Sequence, residues 1–536
     1  MHPPALSDST VVDQPQVTAR ARPRRNRPLA ESLELSPGRW LLTFTVVFAV
    51  AEVCAASRRI MFFDELMNCY LGDLPSIRQI WPLIGQGIEL NPPLPFWITW
   101  VIRHAFGSSE VLMRLPAIAG FWLMCFCLYH VVRRRSDVLH GFIALLLPVF
   151  TYTAFDATYA RGYGLMLGAS AAALLCWQLA TDGVRRPLAL IGLAAAGAVA
   201  ISCHYYALYV AGALALGEAA RTWERRRVDV AIWAALAAGV SPLLAYASLV
   251  RAASAGASQN FWVSPMPVFL YESYAGLLGP TAGVFLLLLV LALWTGRNDG
   301  QRPRWLTPAV GRHELIVCTA LGAMPLVVFL AALFSPVPFF SRYVQPVVIG
   351  FSALTALFAY SAGGGNARFR RLVIALLVWC CFTPWAIYQV SKFLFMAPAG
   401  KIRLSRVKLP LQTPLPIVMD SESDFIELYH YGPPEMRAKL FNLLDTAASI
   451  QFRGSDTAQR SIRIAQSFRD LHTLPYRDFV ADHREFLVAR MRTEGWVVQK
   501  LLADGAKVDL ISLDKDRGYF VQDSLLFHVL YPGPGP

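Results

Sequence analysis

Apolar runs of roughly bilayer length recur along this chain, separated by short arginine clusters, and that repetition leaves few folds open. The runs lie near 39–57, 111–132, 139–155, 162–181, 187–203, 204–222, 228–249, 280–296, 314–334, 344–361 and 371–394. A helix needs about 20 apolar residues to cross the hydrocarbon core, so this pattern predicts about eleven crossings. Only 16% of the residues are charged against 55% hydrophobic, and the mean hydropathy is +0.43, which excludes a soluble enzyme with an ordinary core. The expected fold class is mostly α: a polytopic membrane helical bundle followed by a soluble α/β domain.

The net charge of +13 is concentrated in the arginines between spans and at the N-terminus. Arg133 to Arg135, Arg185 and Arg186, Arg225 to Arg227, Arg297 with Arg302 and Arg304, and Arg368 with Arg370 and Arg371 share one side with the N-terminal tail if residues 93–106 do not cross. That distribution orients helices in a bilayer and implies no nucleic-acid partner. Residues 93–106 and 266–279 are therefore read as interfacial helices on the outer face, the second presenting Glu272. Residues 1–38 form an expected disordered basic cytoplasmic tail, residues 39–396 the membrane domain with a first outer loop over 58–110, and residues 397–536 an extracytoplasmic α/β domain. The predicted location is the cytoplasmic (inner) membrane, crossed many times. Strands are expected at Ile417–Met419, Phe486–Val488, Val508–Leu513 and Tyr519–Val521, and helices over Pro434–Leu443 and Trp496–Ala503. Asp420, Glu422 and Asp424 read as a cluster at a helix N-terminus.

None of the nine cysteines follows Cys381 and none forms a CxxC pair. Neither a disulfide framework nor a cysteine-based zinc site is expected, and Cys125 and Cys127 read as helix-packing residues. No metal site or cofactor is assigned.

Unusual polar residues gather on the outer face. Asp64 and Glu65 follow the first span in an apolar setting of Met61, Phe62, Phe63 and Leu66. Neighbours on a helix point about 100° apart, so the two carboxylates have different tasks. Asp73 and Glu89, further along the loop, read as solvated. Arg161, two residues before Tyr163, either pairs with Asp156 or offers its planar fork of donors to a phosphate or carboxylate. His204, followed by Tyr205, is either packed and hydrogen-bonded or, if protonated, a donor to a leaving phosphate. Arg342 and Tyr343 open a late span among aromatics, where a guanidinium can grip the phosphate of a lipid carrier.

Taken together these motifs resemble the GT-C superfamily of integral-membrane glycosyltransferases, in the branch of protein O-mannosyltransferases, aminoarabinose transferases and Rgt-like enzymes. The resemblance rests on Phe63-Asp64-Glu65, Pro92-Pro93-Leu94, Phe106-Gly107, Arg114-Leu115-Pro116, Arg161-Gly162-Tyr163, His204-Tyr205 and Arg342-Tyr343, in that order over residues 40–360. Two positions depart from the family pattern. Asn91 stands where a charged residue or histidine often precedes the double proline, and Tyr159 stands where a glutamate is common.

The resemblance implies transfer of a sugar from a polyprenyl-phosphate carrier to a glycan, lipid or protein acceptor outside the cytoplasmic membrane, with membrane lipids as surroundings. On that footing Asp64 and Glu65 are the candidate catalytic pair, with Asp64 as general base. Arg161, Tyr163, His204, Tyr205, Arg342 and Tyr343 are the candidate substrate-binding residues. The alternatives are a lipid-linked sugar flippase and a non-catalytic subunit of an envelope glycan complex. A flippase predicts internal symmetry and polar residues at the bilayer midplane, whereas here the polar residues collect at one face.

Overall fold

The computed structural model describes residues 33–260, 265–279, 281–287, 290, 310–335, 338–363, 409–410, 412–491, 495–514 and 524–532. Most of the N-terminal tail, the expected span at 371–394 and the expected strand at Tyr519–Val521 lie outside them, and the span expected at 280–296 is described only at 281–287 and 290.

Among the described residues four helices are long and apolar enough to cross a bilayer: α1 (Pro37–Arg58), α4 (Glu110–Arg133), α5 (Tyr163–Thr181) and α6 (Arg186–Cys203). Between α1 and α4 the loop carries short helices, among them α2 (Phe63–Gly72) and α3 (Leu94–Phe106). Two bent pairs bring the number of spans to as many as six: Val230–Ala245 with Ala247–Ser254, bent by 66°, and Arg312–Gly322 with Met324–Phe334, bent by 57°. Pro242 and Pro325 stand close to the two breaks, where a missing N–H and a ring clash interrupt the helical ladder. Ala207–Arg225, α7, carries buried Glu218 and Arg221, which pair with each other at 2.8 Å. The indole N–H of Trp177 donates to Glu218 as well.

Small residues set the closest helix contact. In α5, Gly164 and Gly168 lie one turn apart against Gly120 of α4: a Cβ at Gly120 would fall on the Gly164 backbone and one at Gly168 on the Gly120 backbone. Without a hydrophobic force between helices in lipid, such close approach supplies the association through dispersion and backbone contact. At the arginine-cluster end, Arg135 of the loop after α4 pairs with both Asp182 and Glu314 at 2.7 Å.

The residues after 412 fold as a six-stranded sheet, β1 (Ile417–Met419), β2 (Leu440–Leu444), β3 (Thr473–Pro475), β4 (Glu485–Arg490), β5 (Lys507–Asp514) and β6 (Ser524–Leu530). The strand order is β3-β2-β1-β4-β6-β5. The first four strands pair in parallel, and β5 and β6 close the far edge antiparallel. The helix expected over Pro434–Leu443 is corrected: only Pro434–Arg437 is helical, and Leu440–Leu444 is a strand. Its run, apolar but for Asn442, buries Leu440 and Leu443 on opposite faces, as parallel strands do, and periodicity does not tell such a short run from a buried helix. Helix α8 (Glu422–Tyr431) follows β1 and has Ser421 as its cap, Glu422 and Asp424 in its first turn. Asp420 instead accepts at 2.7 Å from the backbone N–H of Val497, at the start of α10 (Val497–Ala503), after α9 (Thr457–Ala465).

This domain sits directly on the loop over residues 58–110. One buried apolar cluster contains Met61, Leu66, Tyr70, Ile84 and Phe96 from the loop together with Ile417, Phe425, Ile426 and Ile462 from the domain. Polar contacts pin the seam. The Tyr431 hydroxyl accepts from the Met61 N–H at 2.8 Å and donates to Glu110 at 2.7 Å. The Ser461 hydroxyl donates to the Ile88 carbonyl at 2.8 Å, and Arg469 meets Asp73 at 3.3 Å.

Candidate active site

Helix α2 positions the two carboxylates, and its start explains their division. Phe62 is extended and caps the helix, placing Asp64 and Glu65 in the first turn, where the helix dipole favours negative charge. Glu65 points inward. Both its oxygens are taken at 2.9 Å by the Arg114 guanidinium, and both side chains are fully buried. Arg114 also donates to the carbonyls of Ala56, Arg59 and Ile60 at the end of α1. The Ala160 N–H donates to Glu65 Oε1 at 2.7 Å, while the Asn68 amide donates to the Ala160 carbonyl at 2.7 Å. One turn of α2 thus clamps both backbone polar groups of Ala160, the residue just before Arg161.

Asp64 points the other way. Its Oδ2 accepts from Arg342 Nη1 at 2.9 Å, and each of these side chains keeps 28% of its surface exposed. Arg342 stands on a 3-10 turn, Ser341–Val344, that enters the helix Val347–Gly363, and its guanidinium lies 4.8 Å from the Phe340 ring centre. This is the most open ion pair of the cluster.

Arg161 is buried, and the side chain of Asp156, the partner considered from sequence, lies outside the described residues. It makes a two-pronged contact with Glu89 at 2.6 and 3.1 Å and donates to the backbone carbonyl of Asp64 at 3.1 Å. Glu89, expected to be solvated, is therefore a member of the site, with only 10% of its side chain exposed. Burial pushes its carboxyl above the ordinary range, against the pull of Arg161. Asn91 hydrogen-bonds to Glu89, which gives that departure from the family pattern a local task. Tyr159, the other departure, packs edge-on to Phe62 at 4.7 Å and lies under the Arg59 guanidinium at 4.0 Å.

Behind these charges is an aromatic wall. The His204 ring lies 5.3 Å from Tyr163, 5.3 Å from Tyr343 and 5.4 Å from Tyr206. The Tyr206 N–H donates to His204 Nδ1 at 3.2 Å, so the proton of the neutral ring sits on Nε2, which is buried with no hydrogen-bond partner. Burial, reinforced by the charge of Arg161, lowers the His204 pKa to about 3. Of the two readings of His204 left open by the sequence, the structure shows the packed, hydrogen-bonded ring, in its neutral form. Tyr205 packs instead with the cluster of the outer loop and the C-terminal domain, and its neighbour Tyr206 supplies the ring that meets Tyr343, at 5.1 Å.

Close backbone approach holds the two loops together. A Cβ at Gly162 would stand 2.7 Å from the Cys203 carbonyl and 2.8 Å from the Pro95 ring, so only glycine lets the Arg161 loop lie against the peptide preceding His204. Gly107, at φ +89°, ends α3 in the conformation that glycine enters without strain. Among the described residues no group of three metal-ligating side chains converges.

Residues 91–250 match the sequence family described as dolichyl-phosphate-mannose-protein mannosyltransferase. No curated protein sequence matches the chain. Two crystal structures of ArnT from Cupriavidus metallidurans superpose with a TM-score of 0.51. The one bound to undecaprenyl phosphate is 14% identical and covers 91% of this chain and 98% of its own, and the apo form is 13% identical with 92% and 98% covered. The oligosaccharyltransferase of Archaeoglobus fulgidus, in complex with zinc and sulfate, aligns at 0.41 with 12% identity over 82% of this chain and 67% of its own, too loosely to bear on the fold. The chain has the GT-C membrane fold.

Proposed function

We propose that the protein is a glycosyltransferase that moves a sugar from a polyprenyl-phosphate carrier to an acceptor on the outer side of the cytoplasmic membrane. The observation that carries this reading is the Asp64–Arg342 pair: an accessible base and an accessible cation 2.9 Å apart, set against a wall of tyrosines. The GT-C fold, and the undecaprenyl phosphate bound by the similar ArnT, supply the class of donor.

In the proposed step the acceptor's hydroxyl or amine attacks the anomeric carbon while the bond from that carbon to the phosphate oxygen breaks. Asp64 takes the acceptor's proton. Arg342 stays beside the departing phosphate, where charge develops, and His204 Nε2–H adds a neutral donor. Tyr163 and Tyr343 offer ring faces to sugar or prenyl chain. Glu65 serves by position: its buried pair with Arg114 fixes the turn from which Asp64 projects and the loop from which Arg161 projects.

The test is transfer of labelled sugar from a panel of short-chain polyprenyl-phosphate donors by the full chain in membranes, compared with Asp64→Asn. Turnover that depends on Asp64 identifies both reaction and donor. Folded protein that turns over no donor, or a fully active Asp64→Asn, overturns the reading in favour of a flippase or non-catalytic subunit.

A further inference from the structure

We infer that Glu89 is a displaceable counter-ion: it occupies Arg161 in the donor-free site, yields it to the donor's phosphate, and takes up a proton as it lets go. The inference rests on the donor class proposed above and assigns a positioning role to a residue outside the motifs.

The argument begins with charge. Asp64 and Glu89 face Arg342 and Arg161, so the cluster is neutral, with every cation already paired to a carboxylate. A phosphodiester carrying one negative charge cannot enter this cluster and gain a cation without leaving a carboxylate unpaired. An unpaired anion in a buried site is strongly unfavourable, and the group then neutralises instead of staying charged. The two carboxylates differ in how they meet that demand. Asp64 is more exposed and can be rehydrated when Arg342 turns to phosphate. Glu89 is closed in, and the relief open to it is a proton.

The surroundings of Glu89 suit this exchange. Arg161 and Asp64 face it from the 161 loop and α2, Tyr163 from the start of α5, and Asn91 from its own strand of chain. From the C-terminal domain, the Ser461 hydroxyl holds the Ile88 carbonyl, and Arg460 lies over Gly87 while pairing with Asp456 at 2.8 Å. Arg460 is thus engaged elsewhere and is not a second partner for the freed carboxyl. The Asn91 side chain hydrogen-bonds to Glu89 and can hold the neutral acid in place once Arg161 has turned away. Burial already draws the Glu89 carboxyl toward its protonated form.

The probe is a short-chain prenyl methyl phosphodiester, whose single charge does not change with pH. Its binding to the full chain is followed by calorimetry in buffers of different ionisation enthalpy, for the wild type and Glu89→Gln. The expected result is uptake approaching about one proton per ligand by the wild type above neutral pH, with affinity falling up to about tenfold per unit rise in pH. In Glu89→Gln uptake and pH dependence vanish and the probe binds more tightly at pH 8. Binding without proton uptake by the wild type overturns the inference alone and leaves the donor reading standing, and this measurement needs no variant to fold. Undiminished uptake in folded Glu89→Gln also overturns it. Failure of both proteins to bind the probe overturns the donor reading and the inference together.

Discussion

Arg342 reaches Asp64 across 278 positions of sequence, Nη1 to Oδ2 at 2.9 Å, and closes the start of the membrane domain onto one of its last helices. Each residue holds the other in place before any substrate arrives. On the proposed function, a base ion-paired at rest would be released when something anionic competes for its partner, and the pair would tie proton abstraction to occupation of the donor subsite.

Asp64→Asn is isosteric, and the position is open enough to avoid stranding a buried charge. Transfer is expected to fall by about 10²–10⁴-fold, the usual contribution of a general base, with thermal unfolding little changed. Initial rates with a short-chain donor, beside a melting curve in detergent, check both halves.

Glu65→Gln should behave in the opposite manner. It leaves Arg114 buried without its anion, and breaking such a pair destabilises by about 3–5 kcal/mol. The expected outcome is a marked loss of melting temperature, with activity lost in proportion to folded protein. A variant that melts like the wild type but is inactive would move Glu65 from the scaffold into the chemistry.

Gly162→Ala places a methyl group against the Cys203 carbonyl and the Pro95 ring. The 161 and 204 loops must part, which displaces Arg161 from His204 by a fraction of an ångström. A drop of kcat/KM on the order of 10- to 100-fold in a folded protein is expected, since small misplacements of reacting groups carry penalties of that size.

His204 gives a pH signature with a definite sign. Its pKa is about 3 in the folded chain and near the ordinary 6.5 when unfolded, so between these values the unfolded chain binds the extra proton. Stability contributed by the neutral ring is complete above about pH 6.5 and is lost as pH falls toward 3, at up to about 1.4 kcal/mol per unit. His204→Gln should flatten that part of the stability curve relative to the wild type, as read from denaturation midpoints between pH 4 and 7.

Much of this site is legible one residue at a time. Asp64, Arg161, His204 and Arg342 stand out because charge in an apolar chain is unfavourable without a purpose, and the order of the motifs points to the fold. What sequence does not reveal is who pairs with whom. Arg161 has Asp156 five positions away, and the observed partner Glu89 comes from a loop that doubles back ahead of Pro92 and Pro93. Glu89 lies among polar residues of an outer loop and looks solvated there, since its burial is created by elements distant in sequence. Tyr205 and Tyr206 are equivalent in composition, and only the extended turn at His204 decides which ring faces Tyr343. Strand β2 was hidden for a related reason, its short apolar run being compatible with either secondary structure until neighbouring strands enclose it.

The Tyr431 hydroxyl, held between the Met61 N–H and the Glu110 carboxylate, has a consequence for how the protein is made. Synthesis delivers the acidic loop early and its tyrosine clasp more than 300 residues later. Until the ribosome reaches that point, the inserted helices carry an unfinished loop whose apolar underside, Tyr70 and Leu66 included, awaits its cover. A chain truncated before residue 431 therefore leaves that apolar surface uncovered, the kind of exposed surface by which an incomplete membrane protein differs from a finished one.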